Sequence, residues 1–128
     1  MAKYLSDEWA TAAREALNSS DSFKNASKGV DLTIEQVITG APESGEARYW
    51  IEIKDSSVDG GTGSASNPDV TISQSYETAV AINKQELNAQ AAFMQGKLRV
   101  TGNMGKLLQH QALFQTMAPI LAQVPTEY

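Results

Sequence analysis

Cysteine is absent from this chain, and histidine occurs once. The first absence removes disulfides, thiolate zinc sites and thiol nucleophiles together, and it fits a reducing compartment. The second makes any imidazole-dependent chemistry rest on His110 alone. Positive charge is scarce as well. Ten Lys and Arg stand against fifteen Asp and Glu, a net charge of -5 at pH 7. No basic stripe runs along the chain, which argues against a nucleic-acid partner, because phosphate binding is driven mainly by cations. Long apolar runs are missing too. Residues 107–126 carry no formal charge when His110 is neutral, yet Gln109, Gln111, Gln115, Gln123, Pro119 and Pro125 break them up, so they do not read as a membrane span. The amino terminus carries Asp7 and Glu8 without an apolar core and does not read as a secretory signal. Thr126-Glu127-Tyr128 does not read as a peroxisomal address. A cytoplasmic location is the expectation.

What is present suits one globular domain over residues 1–128. Hydrophobic residues make up 41% and charged residues 20%, a balance that supports a packed core rather than a disordered chain. A chain of this length buries roughly two-thirds of its unfolded surface.

Ser6 is an N-cap residue, with Asp7 and Glu8 at the positive end of the helix behind it. Leu5, Trp9, Ala12, Ala13, Ala16 and Leu17 recur at helical spacing and predict an amphipathic helix over 6–19. A further turn of helix over 22–26 brings in Phe23. Residues 30–39 then alternate, with Val30, Leu32, Ile34 and Ile38 on one face and Asp31, Thr33, Glu35 and Thr39 on the other; Gln36 and Val37 break the pattern. A loop over 40–45 leads to a second strand over 47–55, with Tyr49, Ile51 and Ile53 opposite Arg48, Trp50, Glu52 and Lys54. A short edge strand within 56–63, a loop over 64–68, a strand over 69–74 and a helix capped by Ser75 follow. Strands with one apolar and one polar face predict a sheet covered by helices on a single side, an α+β class.

The stretch from Asn88 to Met104 organises the rest. Ala89, Ala92 and Phe93 share a face of a short helix, Gly96 stops it in a left-handed cap, and Leu98 and Val100 alternate with Lys97, Arg99 and Thr101 in a strand ended by Gly102. Beyond it, Leu107, Leu108, Leu113, Phe114, Met117, Ile120, Leu121 and Val124 are too many for one narrow stripe. A helix to about Met117, broken ahead of Pro119, and a short second helix are expected. Such a tail either caps the core or walls a cavity.

Candidate chemistry is thin. His110 lies between two glutamines in a helical stretch, with no nucleophile elbow to serve. Asp55, Asp59 and Asp69 lack the spacing of a calcium loop. Gly60, Gly61 and Gly63 are followed by Ser-Ala-Ser-Asn-Pro rather than a helix start, so they read as a hairpin turn and not a phosphate cradle. Glu35, Glu52, Lys54 and Arg99 offer a carboxylate pair for acid–base work, but cross-strand ion pairing on a solvated face is the commoner arrangement and the one favoured here. Trp50, a bulky aromatic on that face, either covers a sheet edge or marks a contact surface.

Taken together, Pro68-Asp69-Val70-Thr71-Ile72, the helix with Tyr76 and Ala79, and Leu87-Asn88, Ala92-Phe93-Met94, Gly96-Lys97-Leu98 and Gly102-Asn103, in this order and spacing, resemble the sterol carrier protein type 2 domain, the nonspecific lipid-transfer family. The upstream helix and the strand ending Ile51-Glu52-Ile53-Lys54-Asp55 are similar too. One departure is Lys84-Gln85 ahead of Glu86-Leu87-Asn88, where members usually carry glycine. The resemblance implies a single domain with a five-stranded, mostly antiparallel sheet covered on one face by helices and enclosing an apolar tunnel. It implies binding and transfer of sterols, fatty acids or fatty acyl derivatives such as acyl-CoA, without catalysis or a cofactor, and transient contact with a membrane or a lipid-metabolising enzyme. Phe93, Met94, Leu98 and Val100 would form the inner wall, and Met104, Leu107, Leu108, Phe114, Met117, Ile120 and Leu121 the roof and mouth. With Trp9 these are the candidate ligand-binding residues, and the methionines suit a pocket that accepts several shapes. An acyl chain of about a dozen carbons gains on the order of 10 kcal/mol from such burial before ordering costs. The alternative is a non-catalytic accessory or interaction domain of a lipid-metabolising enzyme. Replacing His110 with Ala leaves a carrier's ligand titration unchanged, whereas an enzyme relying on its only histidine loses activity.

Overall fold

The computed structural model describes residues 2–42 and 45–128. After a two-residue strand, β1 (Ala2–Lys3), helix α1 (Asp7–Asn18) begins where the apolar stripe predicts. Ser6 Oγ accepts the Trp9 N–H at 3.2 Å, and the helix buries Trp9, Ala10, Ala13 and Leu17. The same device starts α2 (Asp21–Ala26), where Ser20 Oγ accepts the Phe23 N–H at 3.2 Å and Phe23 is fully buried.

Five strands follow: β2 (Asp31–Ala41), β3 (Gly45–Lys54), β4 (Ser57–Thr62), β5 (Val70–Ser75) and β6 (Arg99–Gly102), in the spatial order β4-β3-β2-β5-β6. The pairing of β2 with β5 is parallel and the other three are antiparallel, so the sheet is mostly antiparallel as expected. In this register Ile34 lies opposite Ile51 on one side and Val70 on the other. Leu32, Ile34, Ile53 and Val70 therefore meet Leu17 and Phe23 in one core. Of the expected loop over 40–45, Glu43 and Ser44 lie outside the described residues, and β2 continues through Gly40 to Ala41.

The strand order forces a crossing. Because β4 is at one edge and β5 lies beyond β2, the connection over 63–69 must traverse the sheet. Its contacts mark the route: the Gly63 N–H donates to Arg48 O (2.8 Å), the Ala65 N–H to Glu35 Oε1 (2.7 Å), and the Asp69 N–H to Thr33 O (2.9 Å). Glu35 is thus not on a solvated face. It is 6% exposed, and its second oxygen accepts Arg48 Nη1 at 3.1 Å. A crossing loop carries backbone donors that β pairing cannot satisfy, and an unpaired buried N–H is costly, so a carboxylate beneath it is the compensation.

Gly60 and Gly61 are also corrected. They lie within β4 rather than in a hairpin turn. A Cβ at Gly60 would stand 2.8 Å from the Trp50 carbonyl oxygen, and one at Gly61 would meet the Trp50 indole at 3.4 Å. The glycines form a flat seat for Trp50, which is half-buried over this edge of the sheet.

Helix α3 (Tyr76–Asn83) is capped by Ser75, and α4 (Ala89–Met94) by Asn88, whose Oδ1 accepts the N–H groups of Gln90 and Ala91 at 2.8 and 3.2 Å. Gly102 then closes β6 onto the start of β5. Its φ is +107°, and a Cβ would stand 2.4 Å from Asp69 O. The tail departs from expectation. Helix α5 (Met104–Gln109) ends at His110, and α6 (Gln111–Ala122) runs through Pro119 instead of stopping before it. Pro119 is exposed, so its ring meets solvent, while Ile120 and Leu121 beyond it pack on the core and offset the roughly 3 kcal/mol that an interior proline costs. Finally β7 (Thr126–Glu127) pairs in parallel with β1, and the Tyr4 N–H donates to Glu127 O at 2.8 Å. Two-residue strands carry no periodicity, and this clasp was not foreseeable from pattern.

Replacing Gly102 with Ala lowers the free energy of unfolding by about 2–4 kcal/mol in a urea titration, since both the left-handed backbone and the Asp69 carbonyl oppose a side chain. The same change at Gly105, where a Cβ meets only the Asn103 side chain at 3.5 Å, stabilises by up to about 1 kcal/mol.

Candidate functional site

The interior is sealed at one end and open at the other. Beneath α1 and α2, Leu17, Phe23, Leu32 and Ile53 are at most 1% exposed. Toward β5, β6, α5 and α6, the residues Ile72, Val100, Leu107, Phe114, Ile120 and Leu121 pack on that same core and yet remain partly exposed, as does Ile51 on the far side, against α1 and β4. The covering elements explain the difference. Helix α6 packs mainly on α2 and α1, whereas the backbones of α4 and α5 approach no other element extensively. Helix α5 has six residues, includes Gly105 and buries none of its side chains, so neither propensity nor packing holds it firmly.

Of the candidate residues, Met117 is buried in the core, and Val100, Leu107, Phe114, Ile120 and Leu121 line the half-open region. Leu98 and Met104, at the two ends of β6, are half-buried. Trp9 is 2% exposed, with its ring edge-on to Tyr4 and Tyr49 at centroid distances of 4.9 and 5.4 Å. Its Nε1 has no hydrogen-bond partner among the described residues, so burial and edge-to-face contacts hold it. Phe93, Met94 and Leu108 are corrections. They are 44%, 81% and 56% exposed and do not form an inner wall or roof. The face of α4 is set by Ala92, which is fully buried. Each step along a helix turns about 100°, so the two residues after Ala92 swing away from that contact.

An open tunnel is not seen among the described residues. Between α1, β3, β4 and α6, a cleft lined by Trp9, Ala13, Leu17, Tyr49, Ile51, Val58 and Leu121 has a volume of about 20 Å³, room for roughly one water molecule. A wider groove of about 420 Å³, open to solvent, runs between Ala12 and Ala16 of α1 and Ile120, Val124 and Pro125. Tyr49, Ile51 and Ile72 are lining residues absent from the candidate set. Their alternation marks them as inward-facing, but only the strand order brings them opposite the helices. No three His, Cys, Asp or Glu side chains converge as a metal site among the described residues, and no helix there is long and apolar enough to cross a membrane.

A model of the SCP-2 sterol transfer family matches residues 11–115. Peroxisomal multifunctional enzyme A of Dictyostelium discoideum is 49% identical over 55 residues, which are 43% of this chain and 12% of that protein. Sterol carrier protein 2 of Gallus gallus is 32% identical over 76 residues, 59% of this chain and 14% of that protein. The matches therefore span a small part of these relatives' own length. Among solved structures, a crystal structure of sterol carrier protein 2 superposes with a TM-score of 0.83 at 18% identity, covering 96% of this chain and 100% of the other. The solution structure of palmitated SCP2L2 from Aedes aegypti gives 0.59 at 24% identity, covering 84% and 86%. These likenesses show the fold.

Burial raises the pKa of both Tyr4 and Tyr49 above the ordinary value of 10.0. The neutral phenols are favoured in the folded state, so their contribution is intact below about pH 10 and is lost as pH rises above it, where the unfolded chain ionises first. Stability measured by urea titration therefore falls above about pH 10, and Tyr49→Phe makes that fall less steep.

Proposed function

Because the chain belongs to the SCP-2 sterol transfer family, for which lipid binding and transfer are the general role, we propose that it carries a sterol, fatty acid or fatty acyl derivative between the sheet and helices α5 and α6, without catalysing a reaction. The observation that carries this reading is the set of large apolar side chains on β5, β6, α5 and α6 that face the core but are not sealed into it: Ile72, Val100, Leu107, Phe114, Ile120 and Leu121. A ligand that completes their burial gains about 0.8 kcal/mol for each CH₂ it removes from water. The about 20 Å³ cleft cannot take it as it stands, since small-molecule sites typically need at least about 300 Å³. Binding is thus coupled to displacement of α5, a six-residue helix none of whose side chains is fully buried. The palmitated Aedes aegypti relative favours a fatty chain as one ligand class. The reading includes a cytoplasmic carrier that meets a membrane or a lipid-metabolising enzyme to load and unload.

A second reading, a non-catalytic accessory domain, is favoured by the nearly filled cleft and by the match to part of a multifunctional enzyme. Organic extraction of protein purified from cells, followed by mass spectrometry, separates the two. A carrier yields stoichiometric lipid, binds a fluorescent fatty acid saturably, and loses more than about tenfold in affinity on Ile72→Trp, a change that lowers stability by about 1–3 kcal/mol and leaves the protein folded in a circular-dichroism melt. No extracted lipid and no saturable titration would leave the accessory reading standing.

A further inference from the structure

We propose that Gln74, oriented by Gln36, binds the polar head of the ligand and selects a head that donates a hydrogen bond, an alcohol in preference to a carboxylate. The inference rests on the carrier reading and names the class of lipid that the site takes. It begins at the break in the apolar alternation of β2. Gln36 stands between Ile34 and Ile38, opposite Tyr49 of β3 on one side and Ile72 of β5 on the other. Gln74 follows Val70 and Ile72 at every second position of β5 and lies opposite Ile38. Alternate residues of a strand share a face, so both glutamines belong to the inner side of the sheet, at the seam between the two apolar clusters. Ile72, two residues from Gln74, is itself opposite Val100. The pair therefore borders the half-open wall.

The two side chains hold each other, with Gln74 Nε2 donating to Gln36 Oε1 at 2.8 Å. That contact leaves over Gln74 Oε1, which is shut off from solvent and has no hydrogen-bond partner among the described residues. A buried acceptor in that state is uncommon and costly. Turning one amide alone would set like groups against each other across the contact, so each glutamine fixes the other's orientation. An amide oxygen only accepts, and the group that completes it must bring a hydrogen. A hydroxyl does. The carboxylate of a fatty acid at neutral pH offers only lone pairs, and the inward positions of β2, β3 and β5 hold no Lys, Arg or His to neutralise it. An alcohol head seated on Gln74 leaves its chain to run along Ile72 and Val100 toward α5.

Displacement of a fluorescent fatty acid from the intact protein tests this, with 1-dodecanol, its methyl ether and dodecanoate as competitors. The ether keeps the chain and the oxygen but has no hydrogen to give. Wild type is expected to bind the alcohol about fivefold more tightly than the ether or the carboxylate, the usual worth of one neutral hydrogen bond. Gln74→Met, similar in length and apolar, brings the alcohol-to-ether ratio to about one and changes the ether's affinity less than about twofold. Gln36→Leu lowers the ratio to about twofold or less, whereas a purely structural role would weaken all three competitors alike. A circular-dichroism melt verifies the fold of both variants. Wild type that binds alcohol and ether equally overturns the proposal whether or not the variants fold, and so does an unchanged ratio in folded Gln74→Met protein. Preference for dodecanoate over the alcohol overturns it as well, since it puts an amide N–H toward the ligand. If neither the fluorescent fatty acid nor any competitor binds, the carrier reading falls and the proposal with it; equal binding of all three discards the role of the glutamines alone and leaves the carrier standing.

Discussion

Strand β2 is the constraint on which the rest of the molecule depends. It pairs with β3 on one side and β5 on the other, and its inner face supplies Leu32 and Ile34 to one apolar cluster and Ile38 to the other. Full burial of these three side chains contributes roughly 5–9 kcal/mol before entropy is set against it. Because a parallel partner cannot be reached by a tight turn, placing β5 beside β2 obliges the chain to cross the sheet after β4. Glu35, on the opposite face of the same strand, receives that crossing. One strand thus organises the core, the strand order and the anchoring of the loop that the order requires.

The distribution of packing follows from where the long helices lie. Helix α1 and the short α2 cover the β2–β3–β4 side and leave only a cleft of about 20 Å³ there, and the β1–β7 clasp with Tyr4, Trp9, Tyr76 and Tyr128 secures the chain ends nearby. On the β5–β6 side α3 packs on β5 and β2, and the rest of the cover consists of two six-residue helices and one face of α6. Short helices gain little from their own hydrogen bonds, so here the apolar face of the sheet is covered by elements that can be moved at small cost. Membership of a lipid-transfer family and this asymmetric packing agree, because a carrier needs rigidity to keep its shape and one weak wall to exchange its cargo.

Local periodicity and capping were legible along the chain. Ser6 and Ser75 start helices because their side chains satisfy N–H groups that no helix can pair internally, a role the structure gives to Ser20 and Asn88 as well, and alternation in β2 and β3 set their inward rows correctly. The resemblance carried by the block from Pro68 to Gly102 supplied the family. Where the reading failed, the deciding contacts were distant in sequence. Glu35 looked solvent-facing until the 63–69 crossing lay over it, Gly60 and Gly61 looked like a turn until Trp50 rested on them, and Pro119 looked like a helix stop until packing beyond it outweighed the loss. Phe93 and Met94 were placed inside by the resemblance, and helical spacing could not correct that, because it tells which residues share a face but not which face is turned inward. The sequence by itself determined the elements, their caps and the apolar surface to be hidden, since these depend on neighbours within a few residues. Tertiary structure alone decided how tightly that surface is closed, because closure depends on which short elements the strand order leaves to cover β5 and β6.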